Sequence, residues 1–182
     1  MITRSVAAAR LGAWPALLAV LLLAFASAAA LAAAPNYPAL TGRVVDQANV
    51  MSAGTRSSLQ DKLRDLEDKS GIQLVVATIS SLEGQEIEPY SKELFNTWRL
   101  GDARKKNGVL VLVAPSERKL RISVGAGLEA TLTNAAAKDI IEKAIVPKFK
   151  AGDFDGGLAQ GVDAIVAILT AGAAQPPPGA KP

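Results

Sequence analysis

Two uncharged runs rich in β-branched residues constrain this chain more than any other feature. They are Ile72-Gln73-Leu74-Val75-Val76-Ala77-Thr78-Ile79 and Gly108-Val109-Leu110-Val111-Leu112-Val113-Ala114. A strand with one wet face alternates apolar and polar residues, whereas runs with so little alternation are covered on both faces, as parallel strands are. Helical periods surround them. Leu59, Leu63 and Leu66 recur at i, i+4, i+7, with Ser52 or Thr55 as candidate N-cap and Gly71 as terminator. Ile87, Tyr90, Leu94 and Trp98 mark a second helix, in which Pro89 is tolerable only in the first turn.

After a turn at Pro115 to Arg118, Lys119 to Val124 alternates strictly and predicts a half-exposed hairpin partner for the second buried strand. Thr133 opens a helix carrying Ala137, Ile140, Ile141, Ala144 and Ile145 that is expected to stop near Pro147. Leu158, Val162, Ile165, Val166 and Leu169 face the core from the last helix. Gly42 to Asp46 supplies a short edge strand. The pattern predicts an α/β fold, a three-layer sandwich with a mixed, mostly parallel central sheet, helices on both faces and one β-hairpin. The domain is expected over residues 35–170.

Both ends fall outside that pattern. Residues 1–34 hold Arg4 and Arg10, no acid, and then an uncharged run from Leu11 to Ala34. Basic, apolar and small residues in that order describe a secretory signal peptide, with Ala26-Ser27-Ala28 as a cleavage site or cleavage a few residues later. A retained anchor is the alternative, because the run is long enough to span a bilayer. Residues 171–182, AGAAQPPPGAKP, read as a disordered tail. An exported, soluble protein, periplasmic or secreted, is expected. Its net charge of +3 falls to +1 once the two leader arginines are removed, and that near-neutral balance disfavours nucleic acid as a partner.

The chain of 182 residues contains no His and no Cys. Ser-His-Asp and Cys-His nucleophile pairs are therefore excluded, and zinc, copper and haem sites lose their usual ligands. Carboxylates and amides remain, and these suit hard cations such as calcium or magnesium. Asp46 follows Val44-Val45, and Asp102 stands in Gly101-Asp102-Ala103-Arg104-Lys105-Lys106-Asn107-Gly108 ahead of the second buried strand. Gly125-Ala126-Gly127-Leu128-Glu129 lacks the third glycine of a dinucleotide fingerprint and the Gly-Lys-Ser/Thr of a P-loop. Its glycines are expected instead to turn the backbone and bring Glu129 to the sheet's carboxyl edge, where open α/β sheets bind ligands. Asp46, Asp102 and Glu129 converging there would bind one calcium ion. Each has a structural alternative: Asp46 as a turn cap, Asp102 in a surface ion pair. Asp153 and Asp155 sit at the start of the last helix, where carboxylates favour the dipole.

From Tyr37 to Leu169 the chain resembles the TPM domain family, which includes YgcG-type exported bacterial proteins and thylakoid-lumen proteins of photosystem II repair. The matching pieces are Gly42 to Ala48, Gly71 to Val76, Trp98 to Asp102, Asn107 to Val113, Val124 to Glu129 and Phe149 to Phe154. The resemblance implies an extracytoplasmic α/β sandwich, calcium binding in some members and acid-phosphatase activity in plant relatives. Carried over residue by residue, it singles out Asp46, Asp102, Asn107 and Glu129 as metal ligands. Asn134 stands where many members have aspartate, and the carboxy-terminal membrane segment of many YgcG-type relatives has no counterpart in this sequence.

Two functions remain open at this level. One is a calcium-binding module that assists assembly or quality control of envelope or membrane complexes. The other is a metal-assisted acid phosphatase acting on phosphomonoesters, for which the sequence names no catalytic residue.

Overall fold

The computed structural model describes residues 36–173. The expected signal peptide lies outside the described residues, as does all but the start of the expected tail. Four strands form one sheet in the order β1-β2-β3-β4: β1 Val44–Asp46, β2 Gln73–Thr78, β3 Gly108–Ala114 and β4 Lys119–Val124. β1, β2 and β3 are parallel, and β4 returns antiparallel to β3 through the Pro115 to Arg118 turn. This is the mixed, mostly parallel sheet that the sequence predicts.

Helix α1, Ala53–Ser70, begins at Ser52, whose hydroxyl accepts from the Thr55 N–H at 3.2 Å. It ends at Gly71, where a left-handed φ of 71° lets the Gly71 N–H reach the Glu67 carbonyl at 2.7 Å. Helix α2, Ile87–Thr97, takes Pro89 in its first turn, where no intrahelical N–H is needed.

The sheet has helices on both faces because successive strand residues point to opposite sides. Leu74, Val76, Val109, Val111 and Val113 join Leu59, Leu63 and Leu66 of α1 in one core. Leu158, Val162, Ile165 and Leu169 of the last helix enter the same core. Val75, Ala77, Leu110 and Leu112 face the other way, onto Tyr90 and Leu94 of α2. Most of these side chains are fully buried.

The helix expected to stop near Pro147 does not stop there. It runs as α3, Asn134–Ile140, then one π-helical turn, Ile141–Ile145, then α4, Val146–Lys150. The Val146 N–H reaches back five residues to the Ile141 carbonyl, just before the proline that has no N–H to give. Inserting one residue before Pro147 puts the proline in a first-turn position, so the helix bulges rather than ends.

The last helix, α5, is Phe154–Ala173, three residues into the expected tail. Residues Phe154–Gly172 are long and apolar enough to cross a membrane by length and composition. Their stripe of Leu158, Val162, Ile165 and Leu169 is instead buried in the core.

Candidate functional site

Sheet polarity decides which predicted residues meet. In the parallel strands, Asp46 pairs with Thr78 and Thr78 with Val113, so all three lie at the carboxyl edge. Because β4 is antiparallel, its end Val124 pairs with Val109, at the amino edge. The glycine loop after β4 therefore carries Glu129 to the amino edge, not the carboxyl edge expected from the sequence. Asp102 and Asn107, which precede β3, lie at that same amino edge. From the Val113 row to the Gly108 row is about 16 Å of strand. Calcium–oxygen bonds span about 2.3–2.6 Å, so Asp46 cannot share an ion with Asp102 or Glu129. The expected three-carboxylate convergence is thus corrected: two of the three share an edge.

Asp46 is a structural hub at the carboxyl edge. Its side chain is 1% exposed. Oδ1 accepts from the Thr78 hydroxyl at 2.5 Å and from the Val50 N–H at 3.1 Å. Oδ2 accepts from the Met51 N–H at 3.1 Å and from Arg56 Nη2 at 3.0 Å. Four donors on two oxygens close the β1–α1 turn and leave little for a metal.

At the amino edge two loops lock together backbone to backbone. Gly125 donates its N–H to the Gly108 carbonyl at 2.8 Å, and Gly127 donates to Lys106 at 3.1 Å. A Cβ on Gly108 would sit 2.5 Å from the Leu100 carbonyl oxygen. A Cβ on Gly101, Gly125 or Gly127 would overlap Gly108, Lys106 and Lys105 backbone atoms respectively. Only glycine allows this approach. The first loop also holds Arg99, Gly101 and Lys106 at left-handed φ values of 50°, 85° and 48°. Such concentrated strain persists only where surrounding contacts over-determine the backbone.

Asn107 supplies much of that determination. It is 6% exposed. Its Oδ1 accepts from the Asp102 N–H at 2.9 Å, and its Nδ2 donates to the Gly71 carbonyl at 2.7 Å. The Gln73 side chain accepts from the Gly101 N–H at 2.7 Å. Asn107 thus clamps the loop to the end of α1, and its amide is used at both ends.

The open oxygens belong to Asp102 and Glu129. Asp102 Oδ1 accepts from the Lys105 and Arg104 N–H groups at 2.8 and 2.9 Å. Those two backbone donors hold its carboxyl below the usual aspartate range, favouring the ionised form. Its Oδ2 makes no hydrogen bond or ion pair among the described residues. Glu129 is exposed and likewise makes none among the described residues. Of the four expected ligands, these two therefore fit a hard cation; Asp46 and Asn107 are committed to the fold. No group of three or more acidic side chains able to hold a metal occurs among the described residues. An ion held here would draw its remaining ligands from backbone carbonyls and water.

At the far edge, Asp153 Oδ1 accepts from the Gly156 N–H at 2.7 Å, capping α5. Asp155 Oδ1 accepts from the Ser52 N–H at 2.9 Å, tying the starts of α5 and α1 together. Sequence reasoning missed Glu117, whose Oε1 accepts from the Leu82 N–H at 2.8 Å and the Ser81 hydroxyl at 2.9 Å. That contact spans 35 residues, and no local signal announces it.

Comparison with known proteins agrees with this architecture. The TPM domain family model matches residues 44–168. The N-terminal domain of a Porphyromonas gingivalis protein is 26% identical with a TM-score of 0.68, over 73% of this chain and 85% of that one. An N-terminal domain from Corynebacterium glutamicum, 18% identical, superposes with a TM-score of 0.57 over 80% of this chain and 89% of that one. A protein of the psychrophilic bacterium Bizionia argentinensis, 21% identical, gives 0.59 over 66% and 82%. The latter two show the fold alone. No curated protein matches the chain by sequence. With its family model covering both edges of the sheet and every strand, the chain belongs to the TPM domain family.

Proposed function

We propose that the chain is an exported, non-catalytic TPM-domain module that binds calcium at the amino-edge loop pair and assists assembly or quality control of envelope membrane complexes. Asp102 and Glu129 are the carboxylate ligands in this reading, with Asn107 holding the Asp102 loop in shape. One observation carries it. Glycines let two loops, the first with left-handed backbone at three positions, press together, and these loops leave Asp102 Oδ2 and the Glu129 carboxylate open at one edge. Hard cations take carboxylate oxygens together with backbone carbonyls and water, and both loops offer such oxygens.

Binding is favoured over phosphoester hydrolysis because the tightest hydroxyl–carboxylate pair, Thr78 and Asp46, is closed to solvent. A buried pair with all its bonds made stabilises the turn and cannot reach a substrate.

The test is thermal melting of the purified protein with calcium, magnesium or chelator. Calcium binding only the folded state stabilises it by RT ln(1 + [L]/Kd), about 2.7 kcal/mol at a hundredfold excess over Kd. Melting should rise with calcium, return with chelator, and lose most of the rise in Asp102→Asn and Glu129→Gln. If both variants keep the full shift, the assignment fails. Turnover of a generic phosphomonoester that requires calcium and disappears in Asp102→Asn would favour the hydrolase instead.

A further inference from the structure

A cleft of about 440 Å³ opens at the carboxyl edge of the sheet, the opposite end from the Asp102 and Glu129 loops. The end of β3 forms its floor, and the β3–β4 turn and α4 form its sides. Its size lies within the range of small-molecule sites, and its place matches the edge where open α/β sheets take ligands.

The walls are apolar and wet. Leu120, Val146, Phe149 and Phe154 line the cleft, and each is only half-buried. Phe149 and Phe154 pack as a tilted pair with ring centroids 4.8 Å apart, so the wall has a fixed shape.

The charged lining is entirely basic among the described residues: Arg118, Lys119 and Lys150. Lys119 is neutralised by Glu86 at 2.7 Å. Arg118 and Lys150 make no ion pair among the described residues, whereas neighbouring Lys148 pairs with Asp153 at 3.5 Å. The Arg118 backbone is fixed by its N–H bond to the Pro115 carbonyl at 3.1 Å, with φ at 54°.

An apolar wall beside two uncompensated cations recognises one kind of molecule. We propose that this cleft binds a single-chain anionic amphiphile, the tail against Phe149, Phe154 and Leu120 and the carboxylate between Arg118 and Lys150. Inorganic anions would satisfy only the cations, and neutral hydrocarbons only the wall. The site shares no residue with the calcium reading and stands or falls separately from it.

Isothermal titration of the purified protein with acetate, hexanoate, octanoate and decanoate, all below their micellar concentrations, tests this. One saturable site is expected, with affinity rising about fourfold per added methylene, since each buried methylene contributes about 0.8 kcal/mol. Arg118→Asn combined with Lys150→Gln should weaken decanoate about tenfold, because a carboxylate loses its charge-assisted bonds. Asn tolerates the left-handed backbone at 118, so the change removes charge without adding strain. Val146→Trp should fill the cleft and abolish binding. If that variant fails to fold, the charge-removing pair of exposed side chains decides alone. Affinity independent of chain length, inorganic phosphate binding as tightly as decanoate, or binding unchanged in the charge-removing variant would overturn the proposal.

Discussion

Asp46 and Asp102 both stand where a strand meets a loop, and the sequence gives them the same prospects. Their surroundings separate them. Asp46 accepts four bonds in a closed pocket, while Asp102 spends one oxygen on its own turn and presents the other to solvent. Asp46→Asn replaces two acceptor oxygens with one, leaving either Thr78 and the Val50 N–H or the Met51 N–H and Arg56 facing an amide nitrogen. A loss of about 2–3 kcal/mol is expected, because bonds to a charged group are the stronger kind. Urea midpoints measure it, and the loss should be equal with calcium and with chelator. Asp102→Asn keeps an acceptor for its turn and should leave the midpoint in chelator near wild type. The capping roles of Ser52, Gly71 and Thr133 are legible in the sequence because each signal lies within four residues of its partner. Those of Asn107 and Glu117 are not, because their partners Gly71 and Leu82 lie 36 and 35 residues away.

At the scale of elements, the β-branched runs and helical periods foretell strands, helices and hairpin, since burial on one face or two leaves a pattern in the chain. The π turn ahead of Pro147 leaves no such pattern. A proline normally ends a helix, and here the buried Ile140 and Ile145 keep it attached to the core on both sides of the bulge. The loop pair is an element in its own right, built from Gly101, Gly108, Gly125 and Gly127. Gly127→Ala should push the loops apart against the Lys105 carbonyl. The expected cost is about 1–3 kcal/mol by urea denaturation, the range for overpacking a site that cannot yield. The same variant should weaken any calcium response, because the backbone contact that sets the spacing of the two loops would be lost. Gly54→Ala is the control: it sits in α1 with nothing within 4 Å of a new Cβ, and alanine there should be neutral or stabilising.

At the scale of the whole molecule, one topological fact escapes the sequence. The direction of β4 follows from the hairpin, but its consequence is that the glycine loop and Asp46 occupy opposite ends of the sheet. The molecule thus has two edges with different chemistry, the open carboxylate oxygens of Asp102 and Glu129 at one and an apolar cleft lined by Arg118, Lys119 and Lys150 at the other.

Acid should loosen it globally. Backbone donation from Leu82 to Glu117 and from Ser52 to Asp155 holds both carboxyls below their ordinary values. A depressed folded-state pKa gives stability that is complete above the unfolded values, about 4.3 for Glu and 3.9 for Asp. That stability is lost as pH falls through the lower folded values. Urea midpoints should therefore hold from pH 7 to 5 and drop below about 4.3, less steeply in Glu117→Gln.

The calcium assignment is tested most directly by following backbone amide resonances during a calcium titration. The expected result is saturable shifts confined to residues 99–107 and 125–131, absent in the doubly substituted Asp102→Asn, Glu129→Gln protein. Shifts centred on Asp46 and Thr78, or none at either edge, would contradict it.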